Sequence, residues 1–400
     1  MKYILILFFI FLFSFNVISC SSKDDDSSST STDSDGTTTD SCLSTSISSR
    51  QSVRSSNDYA YGVATDSSGN VYVAGGTNGG LDGNTNAGNT DLFVVKYNSS
   101  GTKQWTRQLG SSSRDSANGV ATDSSGNVYV TGMTNGGLDG CKNAGIEDLF
   151  VVKYNSSGTK QWTNQLGSSS RDSADDVATD STGNIYVTGT TYSELDGNTS
   201  AGKADLFVVK YNSSGTHQWT KQLGTDRYDE ARGVATDSSG NVYVVGDTYG
   251  GLDGNTNAGN NDLFVVKYNS SGTKQWTKQL GTSSTDLANG VATDSSGNVY
   301  VAGGTYGGLD GNTNAGYNDL FVVKYNSSGT KQWTKQFGTP SSDLADGVAT
   351  DSSGNVYVVG YTYGDLDGNT NTGASDILVV KYNSSGTKQW TKQLGSSMRY

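Results

Sequence analysis

Six tryptophans, Trp105, Trp162, Trp219, Trp276, Trp333 and Trp390, stand 57 residues apart, and six copies of that length fill Tyr59 to Tyr400 without insertion or deletion. A chain periodic on this scale folds as repeated supersecondary units that bury their apolar faces on one another. The composition selects β structure for those units, because 23 Tyr, 6 Trp and 53 Gly stand against three Glu (Glu147, Glu194, Glu230) and one Pro, Pro340. The net charge of −12 offers no basic stripe for phosphates, which argues against nucleic acid as a partner.

Copy one holds four strand-like runs, Gly62 to Asp66, Val71 to Ala74, Leu92 to Tyr97 and Thr102 to Leu109. Tight turns Asp66-Ser-Ser-Gly69-Asn and Asn98-Ser-Ser-Gly101 join them in pairs, since an Asx side chain can bond the backbone ahead and glycine takes positive φ. Each copy is therefore two hairpins, linked by a longer loop over residues 75–90, with a Gly/Ser-rich crossing over 110–119 leading to the next copy. Middle strands apolar on both faces need a neighbouring sheet on either side. Radial repetition supplies one, so the expected fold is all-β: a six-bladed β-propeller of four-stranded antiparallel blades, one blade per repeat. A stack of β-helix rungs is the alternative, disfavoured because 57 residues is long for a rung and the turns mark hairpins.

The run Gly-Val-Ala-Thr-Asp-Ser-Ser-Gly-Asn-Val-Tyr-Val-x-Gly followed by Asp-Leu-Phe-Val-Val-Lys-Tyr-Asn-Ser-Ser-Gly resembles the SBBP β-propeller repeat of secreted bacterial proteins, and the first hairpin is similar to the NHL repeat. The resemblance covers all six copies and implies that the first run is innermost and the Trp-bearing run outermost. Two features depart from the family pattern. Six copies stand where seven blades are implied, and Leu-Asp-Gly-Asn-Thr-Asn-Ala-Gly replaces a Pro-rich loop between the hairpins. Closure is expected from blade six packing on blade one, with residues 43–48 as the spare strand that could seal the joint.

The N-terminus reads as an address. Lys2, an apolar run from Tyr3 to Val17, and Ile18-Ser19-Cys20 form a secretion signal over residues 1–19 whose end resembles a bacterial lipobox, with Cys20 as the lipidated mature terminus. Residues 20–58 are then a Ser/Thr/Asp-rich disordered tether, and 59–400 the repeat domain. Lipid chains would hold the protein on a membrane without spanning it, in a bacterial cell envelope, at the outer membrane or the cell surface.

For chemistry, the inter-hairpin loop places oxygen ligands at alternating positions. The candidate calcium loops are Asp82, Asn84, Asn86 and Asp91; Asp253, Asn255, Asn257 and Asp262; and Asp310, Asn312, Asn314 and Asp319. Self-bonded Asx turns explain the same residues, so calcium is a candidate cofactor and no other is expected. Asp66, Asp123, Asp180, Asp237, Asp294 and Asp351 could ring one mouth of the channel, but turn chemistry accounts for them. Lys96 and its equivalents sit in apolar strands, where a paired or snorkelling lysine is expected. His217 has no partners for a triad, and Cys42 and Cys141 are either free thiols or a disulfide. No catalytic residue is assigned. The expected activity is non-catalytic binding by a monomer of a protein or glycan ligand. The alternatives are a calcium-dependent carbohydrate-binding or adhesin function and a propeller hydrolase or lyase.

Overall fold

The computed structural model describes residues 56–397. Among them are 24 strands in six four-stranded antiparallel sheets, each ordered from first strand to fourth as in the chain. In blade one these are β1 (Asp58–Thr65), β2 (Val71–Thr77), β3 (Asp91–Tyr97) and β4 (Lys103–Leu109). The protein is thus a six-bladed β-propeller, one repeat per blade, as the periodicity predicts. The signal segment, Cys20, the tether up to residue 55, Cys42 and the 43–48 stretch lie outside the described residues, while Asp58, the last residue assigned to the tether, belongs to β1.

The turns form for the reason the sequence gives. Asp66 Oδ1 accepts the backbone N–H of Ser68 at 2.9 Å and of Asn70 at 3.0 Å, and Gly69 takes φ 76°. Asn98 repeats the arrangement in the second hairpin, accepting from Ser100 and Thr102.

β1 starts at Asp58, four residues before the expected Gly62, and the reason is a bulge. Pairing with β2 steps from Ala60 to Gly62, leaving Tyr61 without a ladder partner, and the same shift recurs in every blade. An unpaired residue bends the strand and re-aims its side chain. Opposite the bulge only glycine fits. A Cβ on Gly75 would lie 1.8 Å from the Tyr59 carbonyl oxygen, and at Gly189 and Gly246 the equivalent clashes are 1.9 and 1.8 Å.

Blade-to-blade joints use the strand period of two. In blade two, Phe150, Val152 and Val130 pack towards blade one, while Leu149, Val151 and Tyr129 pack towards blade three. That division explains why Asp-Leu-Phe-Val-Val-Lys-Tyr reads as nearly continuous apolar sequence. Polar bonds set the spacing: Thr122 Oγ1 donates to the Thr65 carbonyl at 2.9 Å, and the four following joints repeat the bond at 2.8 to 2.9 Å. The lysines are paired across joints as well. Lys96 Nζ lies 5.3 Å from the Tyr72 ring centre and donates to the Ser156 carbonyl of the next blade at 3.0 Å. Tyr72 in turn packs on Trp105 at 6.0 Å, so the aromatic stripes belong to the joints.

Five apolar clusters lie between consecutive blades, and among the described residues none joins blade six to blade one.

Candidate functional site

Near-identical copies make their differences informative. Blades differ at the strand-one positions of Tyr59 and Tyr61, at Gly76 and Asn78 at the end of β2, at Thr90 and at Arg114. Pairing brings these together, because Tyr59 opposes Gly76 in β1 and β2, and Thr90 bridges Arg114 across the joint. All of them gather at the end of the blade that holds the long loop and the crossing. The opposite end, with turns Asp66 to Asn70 and Asn98 to Gly101, varies less, at Thr182 in a turn and at Ile185 and His217 where strands begin.

At this variable end, blades two to four enclose a cavity of about 230 Å³. Apart from the invariant Ala231, its walls are the variable positions themselves. Glu147 and Arg171 come from the joint between blades two and three, Ser173, Asp175, Thr190 and Tyr192 from blade three, and Glu230 and Arg232 from blade four. Asp175 and Arg232 are the bulged residues of their first strands, so the distortion that frees them from the ladder puts charge on the cavity wall.

The charges are wired together. Glu230 and Asp247 stand directly opposite in the ladder of blade four, a like-charge pair that would repel. Arg232 resolves it, donating from Nε to Asp247 Oδ1 at 2.7 Å and from Nη2 to Glu230 Oε2 at 3.0 Å. Asp247, almost wholly buried, also accepts from Asn261 Nδ2 at 2.8 Å. Asp176, the single aspartate where the other copies have glycine, accepts the N–H of Val177 at 2.8 Å and, across the joint, that of Val234 at 2.9 Å.

Burial dominates the ionisation of this group. It pushes Asp175 up to about 7; Arg232 works against the shift, while Glu230 and Asp176 reinforce it. It pushes Asp176 up to about 6 despite the two N–H bonds. Glu230 is raised by burial and by Asp247, with Arg232 opposing. Three carboxyls, Glu147, Asp175 and Glu230, line the cavity with two guanidinium groups, Arg171 and Arg232, and Arg232 is already engaged by Glu230 and by Asp247 behind the wall. A cavity with that surplus favours a cationic group.

Beside it lies a second hollow of about 440 Å³ lined by Lys203, Asp226, Arg227, Tyr228 and Tyr249. Tyr228 and Tyr249 meet edge to face at 5.9 Å, and Lys203 Nζ sits 5.2 Å from the Tyr228 ring centre. Tyrosines with an apolar face and a polar tip suit recognition of another protein.

The oxygen-rich loops are placed as follows. Asp82 takes a left-handed φ of 55°, pairs with Lys103 and accepts from Thr106 Oγ1 at 2.8 Å. Asn84 donates to the Leu81 carbonyl at 2.8 Å, and Asn86 accepts from Gly88 N at 3.0 Å. Asp91 is buried, and its Oδ2 accepts from Ala87 N at 2.8 Å and Gln108 Nε2 at 2.9 Å. The other two loops repeat this, with Asp253 on Lys274, Asp310 on Lys331, Asn255 on Leu252, Asn312 on Leu309, and Asn257 and Asn314 bonding Gly259 and Gly316. Asp262 and Asp319 accept from Ala258 and Ala315. Among the described residues no three His, Cys, Asp or Glu side chains are grouped to hold a metal ion.

The six turn aspartates are locked in their own hairpins. Asp237, for example, accepts from Ser239 and Asn241 backbone N–H, the Asn241 amide and the Tyr243 hydroxyl. His217 Nε2 contacts Thr220 Oγ1 at 2.9 Å and Asp196 Oδ2 at 3.1 Å, and Cys141 is a half-buried free thiol.

A family model described as "SBBP: Beta-propeller repeat" matches residues 48–82, 104–139, 161–196, 218–253, 275–310 and 332–367. The chain is also similar to a WD repeat-containing protein of Acanthamoeba polyphaga mimivirus, 24% identical across 78% of this chain and 30% of that protein. It is similar to the regulatory protein FlaEY of Caulobacter vibrioides, 26% identical across 82% of this chain and 39% of that one. The chain therefore spans less than two fifths of the length of either relative. Among solved structures, Sqt1 of Chaetomium thermophilum aligns with a TM-score of 0.45 at 13% identity, covering 84% of this chain and 71% of that one. A gluconolactonase of Xanthomonas campestris aligns at 0.40 and 13%, covering 75% and 82%. The six family matches keep step with the six blades, each later one running from an outermost strand through the crossing into the next first hairpin, and with more than half of the residues so matched the chain belongs to the SBBP beta-propeller repeat family.

Proposed function

We propose that the protein is a non-catalytic interaction module of the bacterial cell envelope, anchored through Cys20, whose variable end holds a protein partner by seating a basic side chain in the Asp175 cavity. The observation that carries this reading is the concentration of most divergence between copies at the end of the blades where the cavity lies. A scaffold of shared hairpins with a changing rim supports binding, as repeat proteins commonly do. The surplus of carboxyls supports a cationic group, and the flanking Tyr192, Tyr228 and Tyr249 support a protein ligand. The uniform partnerships of the six turn aspartates leave no differentiated acid and base, which supports a non-catalytic role.

The test is capture from envelope and host-matrix fractions on the full chain, with two variants in parallel. Glu230→Gln with Asp175→Asn removes cavity charge; Ser296→Arg alters an exposed turn at the other end. Bands lost with the first variant and kept with the second are the expected result. Bands that survive the first variant, or vanish with the second, refute the assignment of the partner to this end.

The anchor has its own readout. Metabolic labelling with an alkyne palmitate is expected to mark the wild-type chain and to disappear in Cys20→Ala, with the variant leaving the membrane fraction. Label retained in the variant would remove the lipoprotein reading.

A further inference from the structure

The two ends of the blade series carry faces that the inner blades bury. Val63 in β1 is 68% exposed, whereas its equivalents Val120, Val177 and Val234 are 7%, 4% and 5% exposed. Beside it the exposed rings of Tyr59 and Tyr61 stack at 6.3 Å. In blade six Val359, Ile377, Trp390 and Leu394 are exposed, while Ala302 and Leu320, the blade-five equivalents of the first two, are fully buried.

These faces are matching halves of one joint. The positions of Val359, Ile377, Trp390 and Leu394 are those by which each earlier blade meets the next, as Ala74, Leu92, Trp105 and Leu109 do against blade two. The position of Val63 is the one by which later blades receive it, as Val120 does. The polar parts correspond too. Thr65 occupies the place of the donor Thr122, and Thr350 that of the acceptor Thr65.

Each of the five joints repeats the same threonine bond and the same lysine to carbonyl bond, which fixes one blade-to-blade step. With that step taken five times, the blade-six face and the β1 face both remain exposed within one chain. A second copy can meet either face with the joint geometry unchanged. We infer that the chain associates head to tail with a second copy of itself, blade six of one packing on blade one of the next. Such an interface is heterologous and continues from copy to copy, in place of the monomer expected from sequence.

Sedimentation velocity on the full chain carrying Cys20→Ser, so that lipid drives nothing, tests the inference with Val63→Asp and Ile377→Asp. Both positions are exposed in the single chain, so each variant keeps its fold, and an unchanged melting temperature below the association range verifies this. The parent chain is expected to form dimers and longer species as concentration rises. Each variant alone is expected to stay monomeric, because every joint then meets one charged face. Mixed in equal amounts, the two variants still offer one intact blade six and one intact blade one, and are expected to form dimers and nothing longer. A parent chain monomeric at every soluble concentration overturns the inference. So does association that either variant leaves unchanged, or a mixture that remains monomeric.

Discussion

Leu263→Ala is expected to destabilise the protein by about 2 to 5 kcal/mol, while Ile377→Ala, the same position two blades later, is expected to change stability by less than about 0.5 kcal/mol. Leu263 is fully buried in the joint between blades four and five, among Val245, Val265 and Phe321. Truncation there removes buried methyl groups and leaves a cavity between sheets that threonine bonds hold at a fixed spacing, so the void cannot collapse. Ile377 is 63% exposed, and its truncation leaves no void. Thermal melts of the two variants, run side by side at dilution below self-association, measure the contrast. Equal losses at both sites would mean that blade six is covered, and would contradict the bare end face.

A stability maximum on the acid side of neutrality is expected from the aspartates. Asp175 and Asp176 have folded values raised to about 7 and about 6, chiefly by burial. The fold therefore favours their protonated forms, and stability rises as pH falls through these values towards the ordinary aspartate value of 3.8. The turn aspartates have the opposite sign. Burial alone would raise Asp123, Asp180 and Asp237, but the hydrogen bonds of their turns outweigh it and hold each below 3.8. Their contribution is complete above that value and is lost as pH drops through the lowered folded values. Melting temperature against pH should climb from pH 8 to a maximum near pH 4 to 5 and fall below it. Asp175→Asn should raise stability at pH 8 by about 1 to 3 kcal/mol, a half-buried site in a water-accessible cavity giving less than its full shift implies, and should flatten the upper limb. A variant as pH-dependent above pH 5 as the parent would show that Asp175 is not the titrating group.

Much of this was legible in the sequence. A strict period gives blade count without any local reading, and turns such as Asp66 to Gly69 mark hairpins because their hydrogen bonds close within four residues. The start of β1 was not legible, since the bulge at Tyr61 breaks the two-residue alternation and the copies place Asn118, Asp175 and Arg232 there. Spacing drew attention to the Asp82 loop as an oxygen-rich segment. Its partners Lys103 and Thr106 lie on β4, more than twenty residues on, where local pattern gives no sign of them. The cavity was missed for a related reason. Asp175, Asp176, Glu230, Arg232 and Asp247 lie scattered along the sequence, and strand pairing and the joint between blades three and four set them side by side. The signal was present as their coincidence in two adjacent copies, and comparing copies column by column would have found it.

The bulge that frees Tyr61, Asn118, Asp175 and Arg232 from ladder pairing has an evolutionary meaning. A residue outside the ladder has no partner directly opposite, so its side chain answers to the joint or the rim it faces, as Asn118 does to the Ala174 carbonyl and Arg232 to Glu230 and Asp247. Exchange of whole copies between blades would then move a rim residue from seat to seat while hairpins, joints and turns stay as they were. New recognition surfaces can in this way be composed by rearranging a fixed alphabet of blades.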